Sequence, residues 1–432
     1  MRKILLIIAF IFLSANFAEC QNQNQEISAL SLEECLTLAL TNHPSLRKTK
    51  AATRDLIAQL ESLRANNRFK VNLKGSASAR GDFQYWDNNT DSGNLSLNAT
   101  KILYDTGQNR LLKEIKQENI LASTETERNQ QIIIAANAKK AYYDLVLKIL
   151  NREVEREKVS SLEEQLRNAQ GFYDVGSKAL IDVTKAKSDL AAAQVSLMKA
   201  ENDILVSQEN LRVAMGTDIE GVFNISLSGE LLLPEILDNT NELINIALQD
   251  RPDYKKLLHD VKGGELSIKS AARSNSATIT TSAGVSWQKS EANNPSREYT
   301  VDLSLNVPVV DGGTTKAAID SARARLDSTL ADVDSAKQQI IQSVRTSVLN
   351  LKSAVNTVKS SEEAVKYSEE NLTLARGRYE VGVGDSLEVS NAVSSLASAR
   401  YTYYKALYDA QAARVDLDSA LGHLPGEIEG KI

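Results

Sequence analysis

Residues 171–183 read GFYDVGSKALIDV, and residues 377–389 read GRYEVGVGDSLEV. Gly, Tyr, an acid, Val, Gly, then an aliphatic residue, an acid and Val recur at the same places, 206 positions apart. Each stretch interrupts a very long run of helical sequence. Residues 108–170 and 314–376 contain no proline and no glycine. Gly176 and Gly382 stand where the chain must reverse, and glycine supplies the positive φ that a helix C-terminus needs there. The pattern predicts two helical hairpins, with long arms at about 107–170 and 314–376 and returning arms at about 177–215 and 385–421.

Other landmarks repeat in the same order. Ala39-Leu40-Thr41-Asn42-His43-Pro44 matches Ala247-Leu248-Gln249-Asp250-Arg251-Pro252, Leu103 to Gly107 matches Val309 to Gly313, and Leu211 to Gly216 matches Leu417 to Gly422. Four landmarks at nearly one spacing mean an internal duplication, with a period too long for a solenoid repeat. The expected organisation is a leader at 1–20, a first repeat at 21–216, an inter-repeat segment at 217–241 and a second repeat at 242–432.

Within each repeat the period switches from helical to two. Val71, Leu73, Ala77 and Ala79 alternate with polar residues in 69–80, as do Leu95, Leu97 and Ala99 in 94–103. In the second repeat, Ile279, Ala283, Val285 and Trp287 alternate in 278–289, and Val301, Leu303, Leu305, Val307 and Val309 in 299–310. These are four strands, each with one apolar and one polar face, and the polar segments 81–93 and 290–298 are expected as loops. In the long arms Leu330, Val344, Leu351, Val358, Val365 and Leu372 recur at seven or a multiple of it, which is coiled-coil spacing. The helix opened by Pro44 and the returning arm together match the length of the long arm, so they are expected to stack end to end beside it.

The chain has 432 residues, six prolines and 5% aromatics. Few prolines permit long helices. The net charge is −6 and there is no basic tract, which excludes a nucleic-acid partner as the reading. Arg2 and Lys3, an apolar run at 4–13 and Ala18-Glu19-Cys20 read as a secretory leader too short to span a bilayer. Lipidation of Cys20 is the second reading, and Glu19 fits it poorly. Past the leader only Cys35 remains, so no internal disulfide forms, and its apolar neighbours predict a buried thiol. His43, His259 and His423 lack metal-ligand spacing, and no phosphate loop or nucleophile motif occurs. The chain therefore reads as neither an enzyme nor a cofactor or metal protein.

Strands of about ten residues with an apolar and a polar face have the length of tilted membrane-spanning strands. Four cannot close a barrel, and an open edge in lipid is prohibitive. Copies of the chain must share one barrel, two giving eight strands and three giving twelve. A soluble coiled-coil adaptor or scaffold accounts for the hairpins but leaves the strands unexplained.

The stretches SLEECLTLALTNHPSL, LSLNATKILYDTGQNR, FYDVGSKALIDV, LSLNVPVVDGGTTK and RYEVGVGDSLEV resemble the TolC family of outer-membrane efflux channels, across essentially the whole chain past the leader. The resemblance implies an α+β membrane protein. Three chains would share a 12-stranded barrel in the Gram-negative outer membrane, continued by a helical tunnel in the periplasm. It implies a passive exit duct for efflux or type I secretion, engaged by a periplasmic adaptor and an inner-membrane pump. It also implies that the hairpin tips hold the gate and the adaptor contact, the second hairpin being the inner, moving one.

The tip residues expected to matter are Tyr173, Val175, Gly176, Tyr379, Val381 and Gly382. Gly107, Gly312 and Gly313 mark the strand-to-helix bends. Asp182 and Glu388 match in the two repeats, and the resemblance gives them a pore-facing role at the constriction. Asp385, with Glu388 three residues on, reads equally as a helix cap. This chain departs from the family pattern in two places. Asn391 stands in place of a second acid and Gly384 in place of a locking arginine, which points to a less tightly locked gate.

Overall fold

The computed structural model describes residues 30–82, 85–217, 231–235, 239–290 and 293–425. The expected leader at 1–20 lies outside these, as does most of the inter-repeat segment 217–241.

The same series of elements occurs twice. Helices α1 (Leu32–Asn42) and α2 (Pro44–Ala65) lead into strands β1 (Lys70–Asp82) and β2 (Tyr85–Tyr104), then the long α3 (Gln108–Asp174) and the returning α4 (Leu180–Met215). The second series is α5 (Thr240–Asp250), α6 (Pro252–Arg273), β3 (Thr278–Ser290), β4 (Asn293–Asn306), α7 (Thr314–Glu380) and α8 (Ser386–Leu421). Each long arm has 67 residues, which at 1.5 Å per residue is roughly 100 Å. Helix α1 was not anticipated. It starts with a capping box in which the Ser31 hydroxyl accepts from the Glu34 N–H and the Glu34 carboxylate accepts from the Ser31 N–H.

The strands form one antiparallel sheet in the order β1-β2-β3-β4. Its register puts Leu73, Leu97, Val285 and Tyr299 in one row, and Val71, Ala99, Ala283 and Val301 in another row on the same face. Every large side chain in these rows is exposed in the single chain. No described helix is long and apolar enough to cross a membrane.

The strand boundaries correct the sequence reading. β2 begins at Tyr85 rather than 94, and β4 runs from Asn293 to Asn306 rather than 299–310. Most of 81–93 is therefore strand, its ladder continuing to the Asp82–Tyr85 pair. Asn, Asp, Ser and Gly are poor strand formers alone, but a partner strand that satisfies their backbone groups overrides that preference.

The long arms reach four residues further than expected, to Asp174 and Glu380. The coiled-coil positions Val344, Leu351, Val358 and Leu372 are buried, whereas Leu330 is exposed. Cys35 lies at zero exposure in the cluster of Tyr142, Leu145, Leu211 and Met215, and burial pushes its thiol up to about 11.

The shorter helices stack as expected, through a glycine. α4 and α8 end in Schellman motifs. The N–H groups of Gly216 and Thr217 reach back to Val213 O and Arg212 O, and those of Gly422 and His423 to Ser419 O and Asp418 O. A Cβ on Gly216 would lie 2.7 Å from His43 Cα, and one on Gly422 would lie 2.7 Å from Arg251 Cα. His43 and Arg251 are the residues just before α2 and α6, so the end of each returning arm abuts the start of the short helix in its own repeat.

At the strand-to-helix bends an aspartate caps each long arm. Asp105 accepts from the N–H groups of Gly107 (3.1 Å) and Asn109 (2.9 Å), and Asp311 from those of Gly313 (3.0 Å) and Thr315 (2.9 Å). Hydrogen bonds from Thr315 and Gly313 hold the Asp311 carboxyl well below the usual carboxylate range. A depressed folded-state pKa means that this cap contributes fully above about pH 4 and fades only as pH falls toward the depressed value. Gly107, Gly312 and Gly313 all have positive φ, and Thr106 shares it at 53°. A β-branched residue is strained there, whereas the matching position in the second repeat is Gly312. Thr106→Gly is expected to raise stability by about 1 kcal/mol, read as a higher melting temperature in detergent.

Candidate functional site at the hairpin tips

The two repeated turns close with one bonding pattern. In the first, the Gly176 N–H donates to Tyr173 O (2.9 Å) and the Ser177 N–H to Phe172 O (2.8 Å). In the second, Gly382 donates to Tyr379 O (3.1 Å) and Val383 to Arg378 O (3.0 Å). Both are Schellman motifs, and Gly176 and Gly382 take φ of 73° and 81°.

The two turns are not equivalent in environment. Tyr379 is 3% exposed, its ring edge-to-face with Phe172 at 5.5 Å, whereas Tyr173 is 39% exposed. Around Tyr379, a small core joins the hairpins through Val159, Leu162, Leu372, Val389 and Ala392. Burial, and then the Asp182 carboxylate, push the Tyr379 phenol up. Its hydroxyl is buried and has no hydrogen-bond partner among the described residues. Packing therefore defines Tyr379, and Tyr379→Phe is expected to leave stability unchanged or slightly higher, because it removes an unsatisfied polar group. A melting curve that falls by several degrees would show that the hydroxyl is used.

Polar links also cross between the hairpins. The Lys178 ammonium donates to Gly384 O at 3.0 Å and lies 5.5 Å over the Tyr379 ring. Lys178 and Gly384 occupy the same place in the duplicated motif, so one turn grips its own counterpart. Gly384 is tightly packed, and a methyl there would need its neighbours to give by a few tenths of an ångström. A Cβ there would sit 3.1 Å from Arg378 backbone and side-chain atoms. Deeper in, the Gln165 amide donates to Ser386 O (2.7 Å) and Oγ (2.8 Å), and the Ser390 hydroxyl donates to Asp189 at 2.6 Å. None of these links was read from the sequence. The motif alignment alone pairs Lys178 with Gly384, but it carries no sign of their contact.

The expected constriction residues fall into different settings. Asp385 is the N-cap of α8, accepting from the Glu388 N–H at 2.7 Å. Glu388 pairs with Arg378 at 3.2 Å. Asp182 is half-buried in the first turn of α4 with no ion pair among the described residues, and Asn391 is exposed on α8. At the outer ends of the turns Val175 and Val381 are 76% and 74% exposed. Among the described residues no group of His, Cys, Asp and Glu is placed to hold a metal ion.

A family model described as outer membrane efflux protein matches residues 35–217 and 243–423. The cation efflux system protein CusC of Escherichia coli K12 is 23% identical over 400 residues, spanning 89% of this chain and 84% of the relative. A crystal structure of CusC superposes with a TM-score of 0.79 at 19% identity, covering 94% of this chain and 96% of that one. VceC of Vibrio cholerae gives 0.73 at 20% identity over 91% and 96%, and the CmeC channel of Campylobacter jejuni 0.75 at 15% over 92% and 87%.

Proposed function

This chain belongs to the outer membrane efflux protein family, and from that membership we propose the assembly through which it works as an outer-membrane exit channel. Three copies pool their sheets into one 12-stranded barrel, and their helical hairpins form a periplasmic tunnel. The observation that carries this is the four-stranded sheet, whose outer strands β1 and β4 pair with no further strand among the described residues and whose apolar face is exposed, joined to helices of 67 residues. In lipid those edges must be paired, and only other copies carry matching strands.

The tips form the periplasmic gate. Asp182, Glu388 and Asn391 face the constriction, while Asp385 holds the start of α8. The second hairpin moves, and the Lys178 link to Gly384 restrains it. Val175 and Val381, exposed and apolar beside Gly176 and Gly382, meet a periplasmic adaptor that couples the channel to an inner-membrane pump. The pump chooses the cargo and supplies the energy, so the duct needs no catalytic group of its own. Chemical cross-linking of the detergent-solubilised full-length protein tests the assembly. A ladder ending at three chains supports it, and a monomer at all cross-linker doses contradicts it.

A further inference from the structure

We propose that the free edges of the sheet are keyed by charge, so that β4 of one chain pairs with β1 of a second copy, head to tail. The proposal rests on the shared-barrel reading. On the polar face, the inner strands present only Asn, Ser, Thr, Gly and Gln over 94–100 of β2 and 278–288 of β3. The charges on that face lie on the edge strands. Over 70–78 β1 carries Lys70 and Lys74, and over 294–306 β4 carries Glu298 and Asp302. Among the described residues no ion pair uses them. Lys70 reaches Asn66 at 3.0 Å, and Asp302 accepts from Ser282 at 3.3 Å.

The spacing makes the match robust. All three pairings in the sheet are antiparallel, so the seam from β4 to the neighbouring β1 is antiparallel too. The two lysines are four residues apart, as are the two acids. An unstaggered seam sets Lys70 opposite Asp302 and Lys74 opposite Glu298 together. A tilted barrel requires stagger, and an even shift keeps polar side chains on one face. A shift of four in one direction sets Lys74 opposite Asp302, and in the other sets Lys70 opposite Glu298. A shift of two places the charges diagonally, within reach of long side chains. None of these registers opposes like charges. Pairing β1 with β1 sets lysine against lysine, and pairing β4 with β4 sets acid against acid, which is unfavourable directly across a ladder.

The test uses the full chain in detergent at low salt, following dissociation of the trimer on heating. Lys70→Glu with Lys74→Glu makes both edges acidic. This variant is expected to dissociate at a temperature lower by on the order of 5 °C, and the difference should narrow in high salt. Adding Glu298→Lys and Asp302→Lys swaps the key and is expected to restore the wild-type temperature. Reversal without loss, or loss that the swap does not restore, overturns the charge key and leaves the trimer standing. A wild type that is itself not trimeric overturns the shared barrel, and the key with it.

Discussion

Gly422→Ala is expected to destabilise the protein by about 2–5 kcal/mol, whereas Gly382→Ala, at the same φ of 81°, should cost only about 1–2 kcal/mol. Both substitutions force an L-residue into the left-handed region. They differ in what the new methyl meets. At Gly382 no atom of the described residues meets the new Cβ within 4 Å, but at Gly422 the Arg251 Cα is 2.7 Å from it and the Arg251 N 2.9 Å. Those are backbone atoms at the start of α6, and they can yield only if the stacked helices part. Gly216→Ala repeats the test in the first repeat, against His43 Cα at 2.7 Å. Melting temperatures of the three variants in one detergent check the ranking. Equal losses at Gly382 and Gly422 would mean that the helix junction has slack the packing denies.

Lys178→Ala is expected to raise the open fraction of the channel about tenfold. Lys178 is half-buried, its acceptor is a backbone carbonyl, and a hydrogen bond from a charged donor contributes about 1.5–3 kcal/mol. Repeated around a ring of copies, even part of that moves a two-state gate by an order of magnitude. The Arg378–Glu388 pair sits at the same tip, but its side chains are 57% and 41% exposed. Exposed ion pairs contribute about 0–1 kcal/mol, so Arg378→Ala should change the open fraction little. Ion flux through reconstituted vesicles separates the two variants. A larger effect from Arg378→Ala would place the restraint on that ion pair instead.

Much of the fold was legible because the duplication let each half check the other. The helix period, the glycine-bracketed turns and the two-residue alternation are local signals, and each occurred twice at one spacing. The start of β2 was not legible, since Tyr85 to Gly93 lacks alternation and becomes strand through its partner. Thr106 hid a left-handed residue behind a β-branched side chain, although Gly312 at the matching place points to it. At the tips, Gly176 and Gly382 could be read because only glycine suits their conformation. The Lys178–Gly384 link could not be read, because it depends on how the two hairpins are rotated against each other. That rotation is set by the packing of Phe172, Tyr379 and the small residues of α8, which no single segment records.

The most direct test of the shared channel is single-channel recording of the purified full-length protein in a planar bilayer, alongside its chain count. The account predicts discrete conductance steps from trimers, with a preference for cations imposed by the carboxylates at the tip. A protein that forms trimers yet never inserts or conducts, or one that conducts with a preference for anions, would contradict it.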